Sequence, residues 1–379
     1  MKIDMRIALF SSTAEPKDGY GNITWELVHA LKQCSVDCTL FLPRSQKTFI
    51  AQSSLPCETR CVLPEYVFRI YQPEGLKYFR TVDVSDCDLV HDLFAFPYCV
   101  PALLSARQYD KPFMTGAQGT HGVRPLTYFP ERWLLKHCYK KAEAIAVPSV
   151  YTKEKILELA KCSYPIDIIH NGVHFDRFQK SVDTASIRNR YHGKKILLTV
   201  GGLWGRKGHD LVLKAMPQIL KNHPNAMYVI VGDGNGRPDL ETLTKELGIG
   251  DSVDFVGRKS GDELVAYFQS ADIYVHTPKV VGLKFEGFGI VYLEASACGK
   301  PIVATDAGGI RDAVKDGETG FVVPDGDIDA VADAVIRLLD HPEQAVAMGR
   351  SGKSYAALHD WRNIAKQYIS LYDRILHAR

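Results

Sequence analysis

The sequence alternates short apolar runs with stretches of helical periodicity, and it does so twice along its length. In each array an apolar run leads into a polar or glycine-containing loop and then into a helical pattern. Strands that alternate with helices form parallel sheets covered by helices on both faces. The predicted strands of the first array are Arg6–Ser11, Val36–Pro43, Asp88–Phe94, Lys111–Gly122, Ala142–Ser149 and Ile166–Val173.

The second array follows a polar stretch near Phe178–Gly193 and repeats the order of elements. A chain of 379 residues is too long for one ordinary core. We therefore predict an α/β protein of two facing, doubly wound Rossmann-like domains, residues 1–175 and 176–359, with a ligand cleft beyond the carboxyl ends of the strands, and a final helix at 360–379. The predicted strands of the second array are Lys195–Gly202, Ala226–Gly236, Ser252–Gly257, Asp272–Pro278, Pro301–Gly309 and Thr319–Asp327.

Charge and hydropathy argue against several classes of protein. Lys and Arg number 46 against 44 acidic residues, a formal net charge of +2, whereas proteins that bind nucleic-acid backbones carry a basic surplus. No apolar run reaches the length of a membrane span, and the N-terminal MKIDMRIALFSS is too short and too soon interrupted for a signal peptide. We expect a cytoplasmic protein that does not bind nucleic acid.

Nine cysteines are scattered through the chain, and two pairs, Cys34 with Cys38 and Cys57 with Cys61, repeat a three-residue gap. This spacing raises the alternative of a zinc site. However, no histidine lies nearby at ligand spacing, and free cysteine is a common buried residue. We predict that the chain holds no metal.

The segment Phe285–Lys300, FEGFGIVYLEASACGK, places a glycine turn between two carboxylates, Glu286 and Glu294. Glycines let the backbone approach a bound group, and the helix that follows opens with N–H donors that suit an anion. Carboxylates accept hydrogen bonds from sugar hydroxyls. The segment predicts a nucleotide-sugar site; the alternative is an ordinary loop that leads into a buried helix, with both glutamates solvated.

Several motifs in a fixed order resemble one family. The chain is similar to the retaining nucleotide-sugar glycosyltransferases of the GT-B fold, family 4 type (glycosyl transferases group 1), which include sucrose synthases and phosphatidylinositol mannosyltransferases. The resemblance implies that the first domain binds the acceptor, with helix 360–379 completing it, and that the second binds the nucleotide sugar. The motifs are TVGGLWGRKGHD, VGDG, VDFVG, EGFGIVYLEASACGKPIVAT and DAGGIRDAVKDGETGFVV, with THG at 120–122, NGV at 171–173 and Trp361.

The resemblance implies a role for each matching residue of the second domain. Glu286 would contact hydroxyls of the transferred sugar, and Glu294 would hold the ribose of the nucleotide. Lys207 matches the phosphate-binding lysine, and Arg206 would share the charge of the diphosphate leaving group. The remaining donor-binding residues are Phe288, the backbone of Gly289, Ile290 and Val291 for the distal phosphate, and Gly257 with Arg258 for the base.

In the first domain the resemblance implies two contacts with the donor. His121 would lie under the reacting sugar, and Gly21 would approach the phosphates. The residues assigned to catalysis are therefore His121, Glu286 and Lys207. The alternatives are a histidine satisfied within its own loop and a solvated loop lysine.

Two features depart from the family pattern. Members usually carry Gly-Arg at the end of the strand before the lysine loop, and here the pair is Gly201-Gly202. We hypothesise that Arg206 supplies the missing charge. The stretch before Glu286, Lys279–Lys284, is also longer, which we expect to reshape the sugar pocket.

The implied reaction retains the anomeric configuration and uses no metal or cofactor. The nucleoside diphosphate departs, an acceptor hydroxyl attacks the oxocarbenium-like sugar from the same face, and the diphosphate takes the proton. We expect a hexose, glucose first, from a UDP-sugar; GDP-mannose is the alternative because the loop GYGNITWEL has a counterpart in some mannosyl enzymes. The acceptor would be a saccharide or lipid-linked saccharide held by the loops Pro64–Arg80 and Phe94–Val100.

Two other classes of function remain as alternatives. A nicotinamide-dependent Rossmann oxidoreductase would need a G-x-G-x-x-G loop with an acid at the expected distance, and neither sheet opens with one. A sugar-binding protein without activity would not need Lys207, His121 and the glutamate pair together.

A basic helix is expected near residue 136, because Arg132, Lys136 and Lys140 recur at four-residue steps beside Trp133. Such a helix suits an anionic membrane surface, which would give peripheral contact at its inner face. The favoured interpretation is a helix that covers the first sheet with its charged side in water.

Overall fold

The computed structural model of the protein describes residues 5–67, 69 and 73–378. The chain divides into two compact units, Met1–Gly172 together with Trp361–Arg379, and Val173–Asp360. Each unit is built on a parallel sheet. The predicted α/β class, with two doubly wound parallel sheets, is confirmed.

The first sheet has seven strands in the described residues. They are β1 (Arg6–Phe10), β2 (Asp37–Pro43), β3 (Glu58–Leu63), β4 (Leu89–Asp92), β5 (Phe113–Gly116), β6 (Ala144–Val147) and β7 (Ile166–Ile168). Their order is β3-β2-β1-β4-β5-β6-β7, and every pair is parallel. The register aligns Ile7 with Cys38 on one side and with Leu89 on the other.

Helices join these strands. They are α1 (Gly19–Gln33), α2 (Lys47–Gln52), α3 (Cys99–Gln108), α4 (Thr120–Val123), α5 (Glu131–Lys141) and α6 (Val150–Ala160). Two of them begin at side-chain caps: Asp18 accepts from the Gly21 N–H at 2.9 Å, and Ser149 accepts from the Thr152 N–H at 3.2 Å.

Strand β3 is absent from the sequence prediction. Half of its residues, ETRCVL, are polar and Leu63 alone of the six is buried, because β3 lies at the edge of the sheet and, among the described strands, pairs with β2 alone. Edge strands lack the continuous apolar run that marks a central parallel strand.

The second sheet has six strands in the described residues. They are β8 (Lys195–Val200), β9 (Ala226–Val231), β10 (Val253–Gly257), β11 (Ile273–His276), β12 (Ile302–Thr305) and β13 (Gly320–Val323). Their order is β10-β9-β8-β11-β12-β13, all parallel. Successive residues of β8 enter different clusters, since Leu197 packs in one and Leu198 in the other, so apolar layers cover both faces.

The remaining helices belong mainly to this unit. They are α7 (Phe175–Gln179), α8 (Ala185–Arg190), α9 (His209–Asn222), α10 (Arg237–Glu246), α11 (Gly261–Ser270), α12 (Ile290–Ala297), α13 (Ile310–Ala313), α14 (Ile328–Asp340), α15 (Pro342–Leu358) and α16 (Trp361–His377). The polar stretch that separates the two arrays holds α8, whose Ile187 is buried in the core of the second unit with Tyr191. It is therefore part of that unit.

Helix α16 returns to the first unit and packs against α1. The Tyr372 hydroxyl forms a hydrogen bond with His91 Nδ1 at 2.8 Å. Burial lowers the pKa of His91 to about 3, so this imidazole is neutral and its hydrogen bond fixes the last helix to β4.

Candidate functional site

The two central strands of the second sheet form a switch point. β8 and β11 lie side by side, but the chain proceeds from β8 to β9 and from β11 to β12, on opposite sides. In open parallel sheets, ligands bind beyond the carboxyl ends of the strands at such a point. Lys207 follows β8 and Glu286 follows β11, so the topology brings these two predicted residues to one place.

Backbone contacts hold the loops after β8 and β11 together. The Lys279 N–H donates to the Arg206 carbonyl at 2.8 Å, and Thr277 Oγ1 donates to the Gly208 carbonyl at 2.8 Å. Gly208 has a φ of +72°, and a Cβ atom there would overlap the Thr277 carbonyl oxygen. The close approach of the two loops therefore requires glycine at this position.

Glu286 gathers the two predicted cations. Lys207 Nζ lies 2.6 Å from Glu286 Oε2, and Arg206 Nη1 lies 3.4 Å from the same oxygen. Burial by itself would raise the pKa of Glu286, but Lys207 and Arg206 outweigh it and hold that pKa below its usual value. The carboxylate is therefore ionised at neutral pH and acts as a hydrogen-bond acceptor.

Helix α12 begins beside this cluster. Gly289 precedes its first residue in a left-handed conformation, with φ of +88°, and no described side chain caps the helix. A first turn without a side-chain cap presents N–H donors and partial positive charge, which suit an anion. Glu294 lies four residues after Ile290, about one helical turn from this end.

Phe288 belongs to the predicted donor-binding set. Its side chain is buried in the core of the second unit, and the ring of His359 lies 6.3 Å away from it. A ligand at the start of α12 would meet only the backbone of Phe288. The apolar ring instead fixes the turn between Glu286 and α12.

Trp204 is a residue that the sequence analysis missed. A Cβ atom at Gly202 would overlap the Trp204 indole, so this ring fills the space that a side chain at position 202 would enter. The indole is half-exposed and lies two residues before Arg206. The sequence gives no local sign of this packing. Position 202, where the family usually has arginine, is a glycine, and the space beside it is filled by the side chain of Trp204.

His276 ends β11 and is buried with both ring nitrogens lacking a hydrogen-bond partner among the described residues. Its ring lies 5.5 Å from that of Tyr292 and 6.4 Å from that of His209. The pKa of His276 is lowered first by burial and then by Lys207, His209 and Arg206. The His276 imidazole is therefore neutral, and it adds no positive charge near Lys207 and Arg206.

Gly257 and Arg258, the predicted base-binding segment, lie at the end of β10, two strands from β8. The Gly257 carbonyl accepts from the Gly232 N–H at 3.0 Å, which ties this segment to the glycine loop after β9. Arg258 is exposed at the same edge of the sheet as Lys207.

The sequence predicted that His121 lies in a loop. In the structure it lies in the single-turn helix α4. Its ring lies 4.6 Å from that of Tyr20 and 5.8 Å from that of Tyr66. Burial lowers the pKa of His121 to about 4, with an opposing contribution from Asp18 and a smaller lowering by Arg124. The imidazole is neutral at neutral pH.

Gly21 lies inside the first turn of α1, because that helix begins at Gly19. A Cβ atom at Gly21 would overlap the carbonyl oxygen of Glu15. Glycine is therefore required here by packing within the chain itself. Through Tyr20, the start of α1 contacts His121, so the structure brings Gly21 and His121 to one edge of the first sheet.

The other predictions concern metals, membranes and acceptor loops. All nine cysteines are free, and the described residues contain no group of three or more His, Cys, Asp or Glu placed to hold a metal ion. None of the described helices combines the length and apolar character that crossing a bilayer requires. In the predicted acceptor loop Pro64–Arg80, residues 68 and 70–72 lie outside the described residues.

Two parallel α/β units, one with a cation pair and an uncapped helix start at its switch point, define the class of GT-B glycosyltransferase folds. HepE from Anabaena in complex with UDP superposes with a TM-score of 0.79 at 18% identity, covering 98% of this chain and all (100%) of that one. Sucrose-phosphate synthase from Thermosynechococcus elongatus gives a TM-score of 0.78 at 25% identity, covering 99% of this chain and 100% of that one.

Sequence comparison identifies the family. Residues 17–177 match the model described as Glycosyltransferase Family 4, and residues 183–355 match Glycosyl transferases group 1. The chain belongs to this family of GT-B glycosyltransferases, as the sequence motifs indicated. Membership gives no support to the oxidoreductase alternative.

Two relatives show what this family contains. A GDP-mannose-dependent alpha-(1-6)-phosphatidylinositol monomannoside mannosyltransferase from Mycolicibacterium smegmatis is 35% identical over 61% of this chain and 62% of its own. A D-inositol 3-phosphate glycosyltransferase from Corynebacterium urealyticum is 34% identical over 55% of this chain and 50% of its own. The matched segments therefore span less than two thirds of either relative.

Proposed function

We propose that the protein transfers a hexose from a nucleoside diphosphate sugar to a hydroxyl group of a saccharide or lipid-linked acceptor. The observation that carries this proposal is the convergence of Lys207 and Arg206 on Glu286, beside the uncapped start of α12. These groups combine what a sugar diphosphate needs: positive charge for the phosphates and an ionised acceptor for sugar hydroxyls.

In the proposed mechanism, the leaving diphosphate carries the developing negative charge of the transition state. Lys207, Arg206 and the N–H groups of Gly289, Ile290 and Val291 stabilise that charge, which is the largest electrostatic demand of such a reaction. Because these groups supply positive charge, the proposed reaction uses no metal and no cofactor. The diphosphate takes the proton of the acceptor hydroxyl, which attacks from the same face and retains the anomeric configuration.

The remaining residues position the donor. Glu286 exchanges part of its contact with Lys207 for hydroxyls of the transferred sugar, while Glu294 holds the ribose and Arg258 lies by the base. His121, a neutral imidazole, lies against the reacting sugar, as the family resemblance implies. In this scheme the first unit binds the acceptor and the second binds the donor.

The proposed donor is GDP-mannose, with a UDP-hexose as the alternative. The sequence favoured a UDP-sugar, whereas the relatives support the reverse order, because those with the phosphatidylinositol acceptor are named as GDP-mannose-dependent. Their names also support an inositol-containing or lipid-linked acceptor. The UDP-bound Anabaena structure supports the fold alone.

The proposal is tested by calorimetric titration with GDP and UDP, followed by transfer assays with GDP-mannose and UDP-glucose. We expect one nucleotide to bind and Lys207→Ala to weaken it roughly 10- to 100-fold, since a hydrogen bond to a charged group is lost. Lys214→Ala is the matched control, because Lys214 is an exposed lysine of the same unit that pairs with Asp210 at 3.5 Å. Equal nucleotide binding by Lys207→Ala and the wild type would refute the assignment of the site.

A further inference from the structure

An exposed aromatic pair stands on the surface of the first unit. The side chains of Phe129 and Trp133 are 65% and 64% exposed, and their rings meet edge to face with centroids 5.6 Å apart. Single exposed apolar residues are ordinary on soluble proteins, whereas adjacent large ones form a patch that indicates a binding surface.

The patch continues as a basic stripe along α5. Leu135, Cys138 and Tyr139 are the buried face of this helix, so Trp133 and Lys140, two turns apart, share the opposite face. Lys140 is exposed on this face, and Arg132 and Lys141, which are also exposed, flank it on its two sides. Lys136 is not part of the stripe, because its Nζ donates to the Ala160 carbonyl at 2.7 Å.

Acidic groups do not offset this charge on the helix itself. The one acid of α5, Glu131, is buried, and its Oε1 accepts from Arg69 Nε at 2.8 Å. A further cation comes from the end of α3, which packs against α5: Arg107 is close enough to His137 to lower its pKa together with Lys141 and Lys140, after the larger effect of burial. The patch therefore comprises Phe129, Trp133, Arg107, Arg132, Lys140 and Lys141.

We propose that this patch docks the protein on an anionic lipid surface, with Phe129 and Trp133 entering the headgroup layer and the four basic side chains contacting lipid phosphates. Aromatic side chains favour the membrane interface because they have an apolar body, and clustered Lys and Arg add attraction to anionic leaflets. A second copy of the chain is a poor occupant, since twofold pairing of this patch would oppose cations to cations. The docking does not depend on which donor the second unit binds.

The docking is tested by co-sedimentation with phosphatidylcholine vesicles containing about 30% phosphatidylglycerol at low salt. We expect the wild type to sediment with these vesicles and not with phosphatidylcholine alone. Phe129→Ser with Trp133→Ser should abolish binding, and Arg132→Glu with Lys140→Glu should weaken it by roughly fivefold or more for each charge changed. The matched controls are Val346→Ser and Lys353→Glu, exposed residues of the second unit, which should bind as the wild type does.

A measurement on the unmodified chain guards against variants that fail to fold. Trp133 at the interface should be quenched by brominated lipids in anionic vesicles, and Trp133→Phe should remove the quenching while Trp204→Phe keeps it. Absence of both sedimentation and quenching for the wild type would overturn the proposal. So would a concentration-dependent dimer without vesicle binding that the Phe129→Ser and Trp133→Ser pair abolishes, because the occupant would then be a second copy.

Discussion

Glu286 is the central residue of the proposed donor site, because its carboxylate pairs with the two cations that a diphosphate would need. Lys207 Nζ and Arg206 Nη1 both contact one oxygen of this carboxylate, whose side chain is only 15% exposed. Its backbone is also fixed, since the Gly309 N–H donates to the Glu286 carbonyl at 2.8 Å. Donor binding must therefore redistribute an existing ion pair around a carboxylate that stays in place.

This arrangement predicts opposite effects of Glu286→Gln on nucleotide binding and on transfer. The amide no longer neutralises Lys207 and Arg206, so GDP alone should bind about fivefold more tightly, the value of a partly exposed ion pair. Sugar transfer should fall roughly tenfold or more, because a charged acceptor for sugar hydroxyls is lost. Titration calorimetry with GDP and steady-state transfer assays measure the two quantities.

The control for this change is Glu241→Gln, since Glu241 forms an exposed ion pair with Arg237 at 2.7 Å in the same unit. It should leave both quantities unchanged. If Glu286→Gln weakened GDP binding and transfer equally, Glu286 would act on the nucleotide itself. The proposal that Glu286 competes with the diphosphate for Lys207 and Arg206 would then be wrong.

At the scale of elements, the loop after β8 and the loop after β11 form one unit through backbone contacts. Gly208 is the point of closest approach, where a left-handed backbone lies against the Thr277 carbonyl. Lys207 precedes Gly208 directly, so the direction of its side chain depends on this contact. The distance between Lys207 and Glu286 therefore depends on the contact between the two loops.

We predict that Gly208→Ala separates the loops and removes donor binding. A Cβ atom would overlap the Thr277 carbonyl and sit on a left-handed backbone, which costs more than about 2 kcal/mol in stability or forces the loop to move. Gly205→Ala is the matched control in the same loop, because a Cβ atom there meets nothing within 4 Å. Thermal unfolding and GDP titration of both variants measure the difference; equal behaviour of the two would contradict the role given to Gly208.

The sequence predicted elements whose signal is local and missed those that depend on distant contacts. The apolar runs located twelve of the thirteen strands of the described residues. The glycine segment pointed to Glu286 and the family resemblance to Lys207, and the structure brings these two side chains within 2.6 Å of each other. The edge strand β3 has no such run. Trp204 over Gly202 and the burial of Phe288 depend on tertiary packing, which residue spacing along the chain does not encode.

At the scale of the whole molecule, each unit carries one of the two proposed ligand surfaces. The cation pair and the start of α12 lie wholly within Val173–Asp360, and the aromatic and basic patch of α5 lies wholly within the first unit. The two proposals thus use separate residues and separate ligand chemistries. When one ligand is added, the unit that is not expected to bind it therefore serves as an internal control.

Amide hydrogen exchange should separate the two surfaces. GDP at about 100 times its dissociation constant should slow exchange in residues 201–209 and 289–294 by up to about 100-fold, because opening of a bound segment must first release the ligand. The same nucleotide should leave residues 131–141 unchanged, whereas anionic vesicles should slow exchange at 129–141 and leave 289–294 unchanged. Slowing of both regions by either ligand alone would contradict the assignment of donor and lipid to separate surfaces, since each is proposed to contact only its own set of residues.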